Sequence, residues 1–506
     1  MDSYEAEPNS FMSTVDPALL QTVEYSEAWA CLQFRSQTTL SLSADNVPAD
    51  IQWMDGSFKP KKDYMGESGG CLYIVQKSQL VEEDVWQITI HQFASTRFQD
   101  RKSDSWTFLL SYLPENVALD PERQVAVFAR SINGSTGKID ICAFATGELM
   151  LPTYEWDATE EYESIIAQLE IKHELVAIHL RQGVIRKSAS GIPGPSQMLF
   201  YNFNLRTLLH LPVDGSLVWG FQFVDQHKIL ILERSKRPIK DRESRMPRLR
   251  LLSMQFVPKF KIVGDSTSPY TIEVPQLVDQ AIDRVYLIPN ISAATIEEAI
   301  QCAPVYDVPE DRLIGLLYQY RKSGIEKHEL VVLVNLQELL KSRVPNFMHM
   351  DASYVTGHEF KLCGRRLIWR SGDILSSVIH IQDFNPNATA LYLGPSGYSE
   401  FRSVHDQSWI TTAISKENRT TPENKSMYTK TNVRAGIKRL FPTQDNLVMI
   451  IDGIYMGAAA HPLMVWACNI ELSKPVERPI AMFDDICYED ILGFQGDYSP
   501  PVSYNY

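Results

Sequence analysis

The densest charge in the chain lies between Arg234 and Arg250, RSKRPIKDRESRMPRLR, where eight basic side chains stand against Asp241 and Glu243. Arg234, Lys236, Arg237, Lys240, Arg242 and Arg245 form the candidate interaction patch. The segment reads first as a long solvated hairpin loop between two strands, Arg248 and Arg250 already belonging to the second. The alternative is a nuclear-localisation or anion-binding patch, since clustered cations raise the local potential. A second cluster, Phe483 to Asp497, carries the carboxylates Asp484, Asp485, Glu489, Asp490 and Asp497. Its spacing lacks the alternate ligands and terminal Glu of a calcium loop, so it reads as a solvated acidic turn. The 11 histidines form no H-E-x-x-H and no pairing with cysteine at a zinc spacing. His358-Glu359 and His405-Asp406 are chance neighbours. No G-x-S-x-G elbow occurs. GSTGK, Gly134 to Lys138, lacks the first glycine of a phosphate loop and reads as a turn between strands. The expectation is therefore no catalytic residue, no metal, no cofactor and no enzyme.

Composition narrows the class of protein. The chain has 506 residues, with 44% hydrophobic and 22% charged, the balance of an ordinary globular protein. A net charge of -14 does not fit a general nucleic-acid binder, which needs clustered cations for phosphate contacts. It fits plain solubility or a taste for basic partners. The acidic start MDSYEAEPNS has no leader pattern. Seven cysteines without a C-x-x-C pair suit reduced, buried thiols, and so a cytoplasmic or nuclear protein. Leu447 to Cys468 is long and apolar enough to suggest a membrane span. Asp452 and the turn-like GAAAHP instead divide it into two buried strands, LVMII and LMVWACNI.

The elements that would position these residues are short strands. Seven apolar runs stand out: LYIV from Leu72, VAVF from Val125, LVAI from Leu175, ILIL from Ile229, LIGLLY from Leu313, LIW from Leu367 and LVMII from Leu447. Each is followed by a polar turn and a partner strand. The stretch Asp120 to Leu149 shows the pattern best, a continuously apolar strand and then one that alternates. The runs start 53, 50, 54, 84, 54 and 80 residues apart. A period of roughly 40–50 residues with strand pairs points to a β-propeller. We expect an all-β, β-propeller-like fold of about seven blades, six and eight being compatible with the spacing, and a short N-terminal helix at SEAWACLQF. The two long intervals read as insertions, near Gly264–Ala303 with a helix at AATIEEAI, and at Ser415–Thr431 as a solvated loop. Closure would use Thr38–Leu42 or Ile491–Phe494. The division expected is an acidic, disordered tail over 1–25, one propeller-like domain over 26–495 and a C-terminal tail over 496–506. Val125, Val127, Ile229, Ile231, Leu313, Leu367, Ile450 and Trp466 should be core.

Three stretches resemble a large family of fungal, mushroom-type F-box proteins: SEAWACLQFRSQTTLSL, ENVALDPERQVAVFAR, and CGRRLIWRSG with VIHIQDFNP. The likeness spans roughly 26–495. It implies a propeller-like region that recruits substrates to a cullin-RING ubiquitin ligase through a Skp-type adaptor. Only Val15-Asp16-Pro17-Ala18-Leu19-Leu20 echoes an F-box, and one apolar turn is too short to form a stable docking helix. Adaptor binding by this chain is therefore not expected. The sequence reading is a non-catalytic protein-interaction module with an unidentified protein partner and no membrane partner. The alternatives are a propeller hydrolase acting on sugars or esters, and a scaffold unrelated to ubiquitin.

Overall fold

A computed structural model describes segments between residues 34 and 470, chiefly strands and their turns. Residues 1–33 and 471–506 lie outside the described residues, as do connections such as 236–246, 291–311, 385–401 and 412–426. Among the described residues, seven sheets of four or five strands, antiparallel except for one added strand, follow one another along the chain. Blade 1 is built on Tyr64–Ser68, Cys71–Lys77, Trp86–Gln92 and Asp104–Leu110, with Gln52–Trp53 added in parallel to its first strand. Blade 2 is Asn116–Asp120, Val125–Ser131, Thr136–Ala143 and Tyr154–Asp157. Blade 3 is Tyr162–Lys172, Leu175–Val184, Ser196–Asn202 and Thr207–Pro212. Blade 4 is Ser216–Phe223, Lys228–Ser235 and Pro247–Gln255, whose outer edge pairs with both Lys261–Val263 and Tyr270–Glu273. Blade 5 is Ala281–Ile288, Leu313–Lys322, Glu326–Asn335 and Met348–Asp351. Blade 6 is Lys361–Cys363, Arg366–Gly372, Ser377–Asp383 and Met427–Val433. Blade 7 is Ile437–Pro442, Asn446–Asp452 and Leu463–Ile470, and its fourth strand is Phe34–Leu42 from the other end of the chain.

The seven apolar runs are the second strands of the seven blades. Each is buried on both faces because the neighbouring blades cover it, which is why Val125–Ala129 and Leu175–Leu180 show no polar alternation. The strands further out return to period two: Trp86–Gln92 buries every second residue from Ile88 onward, and Asp104–Leu110 is mostly open to water. Sheet packs on sheet in a ring. Ile88 and Ile90 of blade 1 meet Phe128 and Phe144 of blade 2. Val127 of blade 2 meets Ile178 of blade 3, and Phe200 of blade 3 meets Phe221 and Ile231 of blade 4. Leu230 of blade 4 meets Leu316 of blade 5, and Leu333 of blade 5 meets Leu367 and Trp369 of blade 6. Ser377 Oγ of blade 6 accepts the Ile437 amide of blade 7 at 3.1 Å. Ile450 of blade 7 returns to Ile74 of blade 1. No sheet closes on itself as a barrel; packing and the terminal strand close the circle.

The first strands line the axis side by side. We call the end of the ring where first strands turn into second strands the proximal pole. It carries residues at positive φ, Gln124 at 55°, His173 at 54° and Gly69 at 55°, as sharp hairpins of right-twisted strands require. At Gly69 a side chain would also strike the Leu119 carbonyl of blade 2. Polar clamps join neighbours here. Asn290 Nδ2 donates to the Leu313 and Gly364 carbonyls at 2.8 and 3.0 Å. Gln168 grips the Phe221 backbone, Nε2 donating at 2.7 Å and Oε1 accepting at 3.1 Å. Lys361 of blade 6 and Glu67 of blade 1 pair past the intervening blade 7.

Several expectations need correction. The helix expected at SEAWACLQF lies outside the described residues except for Phe34. The helix that the described residues do contain is α1, Leu336–Lys341, placed after the third strand of blade 5 and capped by Asn335, whose side chain accepts the Gln337 amide at 2.8 Å. Phe34, expected to end a helix, opens a strand instead. The region 264–303 is not a plain insertion, since it holds the first strand of blade 5. Nor is 415–431 a loop throughout, because Met427–Thr431 belongs to the fourth strand of blade 6. Thr136 to Lys138 of the supposed GSTGK turn are strand. The AATIEEAI helix, the acidic 483–497 segment and the Trp466 side chain lie outside the described residues.

A candidate interaction face at the distal pole

The distal pole is where second strands turn into third strands. Each second strand leaves the core there, and what it carries as it leaves is consistent. The apolar run ends on Lys77, Arg130, Arg181, Arg234, Arg321 and Arg370 in blades 1 to 6, and on Asp452 in blade 7. A long cationic side chain suits this spot, since its stem covers apolar surface while its charge reaches water. Lys77 and Arg321 are exposed; the other four arginines are half-buried. A protein of net charge -14 thus gathers positive charge in a ring at one end.

Aromatic rings support several of these cations. Arg234 lies over the Trp219 ring, 5.6 Å from its centroid. Arg130 and Lys138 lie over Tyr112 at 4.6 and 4.2 Å. Tyr112 donates to Asp140, which Lys138 also approaches at 3.2 Å. Burial and Asp140 push the Tyr112 phenol far up, and the same two causes push the Cys142 thiol up to about 12. That thiol is no nucleophile at neutral pH. Cys71, Cys142 and Cys363 are buried. Arg321 is held by Asp283 at 2.7 Å.

Of the sequence-derived patch, Arg234 is described, at the end of its strand and opposite Leu217. Lys236, Arg237, Lys240, Arg242 and Arg245 lie outside the described residues. Their flanks, Ser235 and Pro247, are the two arms of one distal hairpin, and Arg248 and Arg250 do belong to its second arm. The sequence reading found this one hairpin and missed its counterparts. A detectable signal was present: a basic residue closes the second-strand run in six consecutive blades, whatever the run's length.

Two serine–histidine contacts also escaped the sequence reading. His380 Nε2 and Ser371 Oγ lie 2.6 Å apart in blade 6, with the imidazole stacked 4.9 Å from Trp369. His91 Nδ1 and Ser105 Oγ lie 2.8 Å apart in blade 1. Burial pulls His91 down to about 4, so it is a weak base at neutral pH. Near the proximal pole the Glu170 carboxyl is pushed up to about 7 by burial, against hydrogen bonds from Gln168 and the Phe223 amide. Among the described residues no His, Cys, Asp and Glu group could hold a metal ion. No described helix is long and apolar enough to cross a membrane.

The topology defines a seven-bladed β-propeller, and several solved structures are similar to it. The β-propeller domain of the Trilobed protease from Pyrococcus furiosus matches with 11% identity and a TM-score of 0.39, over 84% of this chain and 99% of that one. The WD40 domain of SCAP from fission yeast matches with 7% identity and a TM-score of 0.31, over 87% and 99%. The acylaminoacyl peptidase of Pyrococcus horikoshii matches with 9% identity and a TM-score of 0.38, over 86% of this chain and 56% of that one. No protein-family model matches the chain, and no curated protein matches it. These neighbours include the propeller domain of a protease and a peptidase, and the expectation that the chain is not an enzyme is withdrawn.

Proposed function

We propose that this chain is a protein-interaction propeller that uses its distal pole to recognise an acidic segment of a partner protein. The observation that carries the reading is the ring of basic side chains ending the second strands of six consecutive blades, in a chain that is acidic overall. A rigid scaffold with variable connections at one end is a common recognition device. Opposite charge would steer the encounter and give it a salt dependence. The resemblance to F-box proteins supplies a setting, substrate recruitment to a ubiquitin ligase. Fluorescence anisotropy with a labelled Asp- and Glu-rich peptide tests the reading. Binding should weaken with added salt and in K77E/R321E, two exposed positions. Equal binding of a Lys-rich peptide would refute it. A pull-down of the full chain with a Skp-type adaptor tests the setting separately; no recovery is expected from the single apolar turn at Pro17–Leu20, and recovery would restore the ligase setting.

A hydrolytic reading has one observation of its own, the hydrogen-bonded Ser371 and His380 on blade 6. A hydroxyl beside an imidazole is the start of an activated nucleophile. Ester hydrolysis that disappears in Ser371→Ala would establish it; identical rates in the two proteins would remove it.

A further inference from the structure

His179 and Arg181 sit on the second strand of blade 3, on the face turned to blade 4 with Leu175 and Ala177. Arg284 and Tyr286 sit on the first strand of blade 5. Between them runs the first strand of blade 4, and there the residue is Gly220, close to Gln168 on one side and Leu287 on the other. Beta-bulges at Ile166/Gln168, Val218/Gly220 and Ile282/Arg284 re-aim all three first strands at this level. The outcome is a concentration of positive charge near the axis. Arg284 lies 4.3 Å over the Tyr286 ring and close enough to Arg181 to repel its charge.

The polar groups here are under-used. His179 is 1% exposed, and its Nε2 has no hydrogen-bond partner among the described residues. Arg181 Nε is buried and equally without one. Burial, Arg181 and Arg284 together hold the imidazole down at about 3, so it is neutral in ordinary buffers and can donate one N–H. Among the described residues, the groups acting on His179 are Arg181 and Arg284, and those acting on Arg181 are Arg284 and Tyr286. No carboxylate is among them, and Asp283, next along the strand, is engaged by Arg321. Two guanidinium groups that repel one another, with no carboxylate among the described residues acting on them, are an unfavourable arrangement that a bound oxyanion would relieve. Forked guanidinium donors match a phosphate or carboxylate group in geometry as well as charge.

We infer that Arg181, Arg284 and His179 form a binding site for the oxyanion group of a small ligand, a phosphate or a carboxylate, near the propeller axis. Arg181, Arg284 and Tyr286 are only half-buried, so the site is open to a solute. It shares Arg181 with the distal ring, whereas Arg284 and His179 lie outside that ring, so variants at Arg284 and on the rim separate the two. Calorimetric titration of the full chain with inorganic phosphate, pyrophosphate and citrate, at constant ionic strength, tests it. Saturable binding is expected for at least one of the three, with a matching rise in Tm. Phosphates against citrate distinguishes the two sources of the oxyanion. R181Q/R284Q should weaken that binding ~10-fold or more, since charge-assisted hydrogen bonds are lost. K77Q, an exposed rim change on blade 1, should leave it intact. Unliganded R181Q/R284Q should melt no lower than the parent chain, because repulsion is relieved. If that variant fails to fold, Arg284→Lys, which keeps the charge and loses the fork, should weaken binding instead. No saturable binding of any of the three anions, or binding unchanged in the variants, overturns the assignment.

Discussion

Ile231→Ala tests the packing of blade 3 on blade 4 directly. Ile231 is 0% exposed, on the second strand of blade 4, with Phe221 opposite it on one neighbouring strand and Arg250 on the other. It belongs to the cluster of Ala177, Met198, Phe200 and Phe221 that joins the two blades. The substitution removes three carbons, about 2.4 kcal/mol of transfer free energy at roughly 0.8 per methylene. Backbone pairs on both sides hold the walls apart, so little of the void can collapse, and a cavity contribution brings the cost to about 3–4 kcal/mol. Equilibrium guanidinium unfolding measures it as a midpoint shift at constant slope. Ile231→Val should cost about 1 kcal/mol in the same assay. Leu205→Ala, at a side chain 49% exposed, should cost below ~0.5 kcal/mol. Ile231→Ala costing no more than Leu205→Ala would refute the claim that blades 3 and 4 share a packed core.

Three other outcomes follow from particular groups. Glu170 has a folded pKa of about 7 against an ordinary 4.5, so the folded chain holds its proton more tightly. Its contribution is fully present below the ordinary value and is lost as pH rises to about 7, so Glu170→Gln should flatten the fall in Tm between those values; parallel Tm curves for the two proteins would contradict this. Arg366 and Asp383, with side chains 4% and 0% exposed, pair at 2.9 Å in blade 6. Arg366→Leu should cost about 3–5 kcal/mol by stranding a buried carboxylate, and a loss under ~1 kcal/mol would show the charge is otherwise satisfied. Removing Phe34–Leu42 leaves Leu463–Ile470 as a bare edge, so the shortened chain should self-associate in light scattering; a monodisperse product would argue against the pairing.

The fold was legible where one physical demand dominates. A strand covered on both faces must be apolar throughout, so LYIV, VAVF, LVAI and the other runs announced the seven second strands. First strands were harder to see. Tyr162–Lys172 and Ala281–Ile288 mix polar and apolar residues because one edge looks onto the axis and each is bulged. The long intervals misled because they hold structure borrowed by neighbours. After the third strand of blade 6 the chain goes back to pair Arg402–Ser403 with the outer strand of blade 5, and only then supplies Met427–Val433. The terminal strand was visible as Thr38–Leu42, but Ile491–Phe494 looked equally suitable, since short β-rich segments do not name their partners. At the candidate sites, Arg234 could be read from local charge. Arg181, Arg284 and His179 could not, because strands of two blades meet across a third, and no spacing records that.

The pairing of Phe34 with Ile470 has a consequence for how the protein is made. During synthesis the first of these strands emerges before any blade and its partner only after the other six blades. Blades 1 to 6 can collapse in turn as their own strands appear, each being a local meander. The circle cannot lock until the seventh blade has left the ribosome, and until then the strand from the start of the chain has no sheet to join. The nascent protein is therefore an open arc with unpaired edges, exposed to misassociation while blades 1 to 6 are made. Its completion step is a single long-range capture, which makes the seam between the terminal strand and blade 7 the place where chaperone dependence, or swapping between two chains, would concentrate.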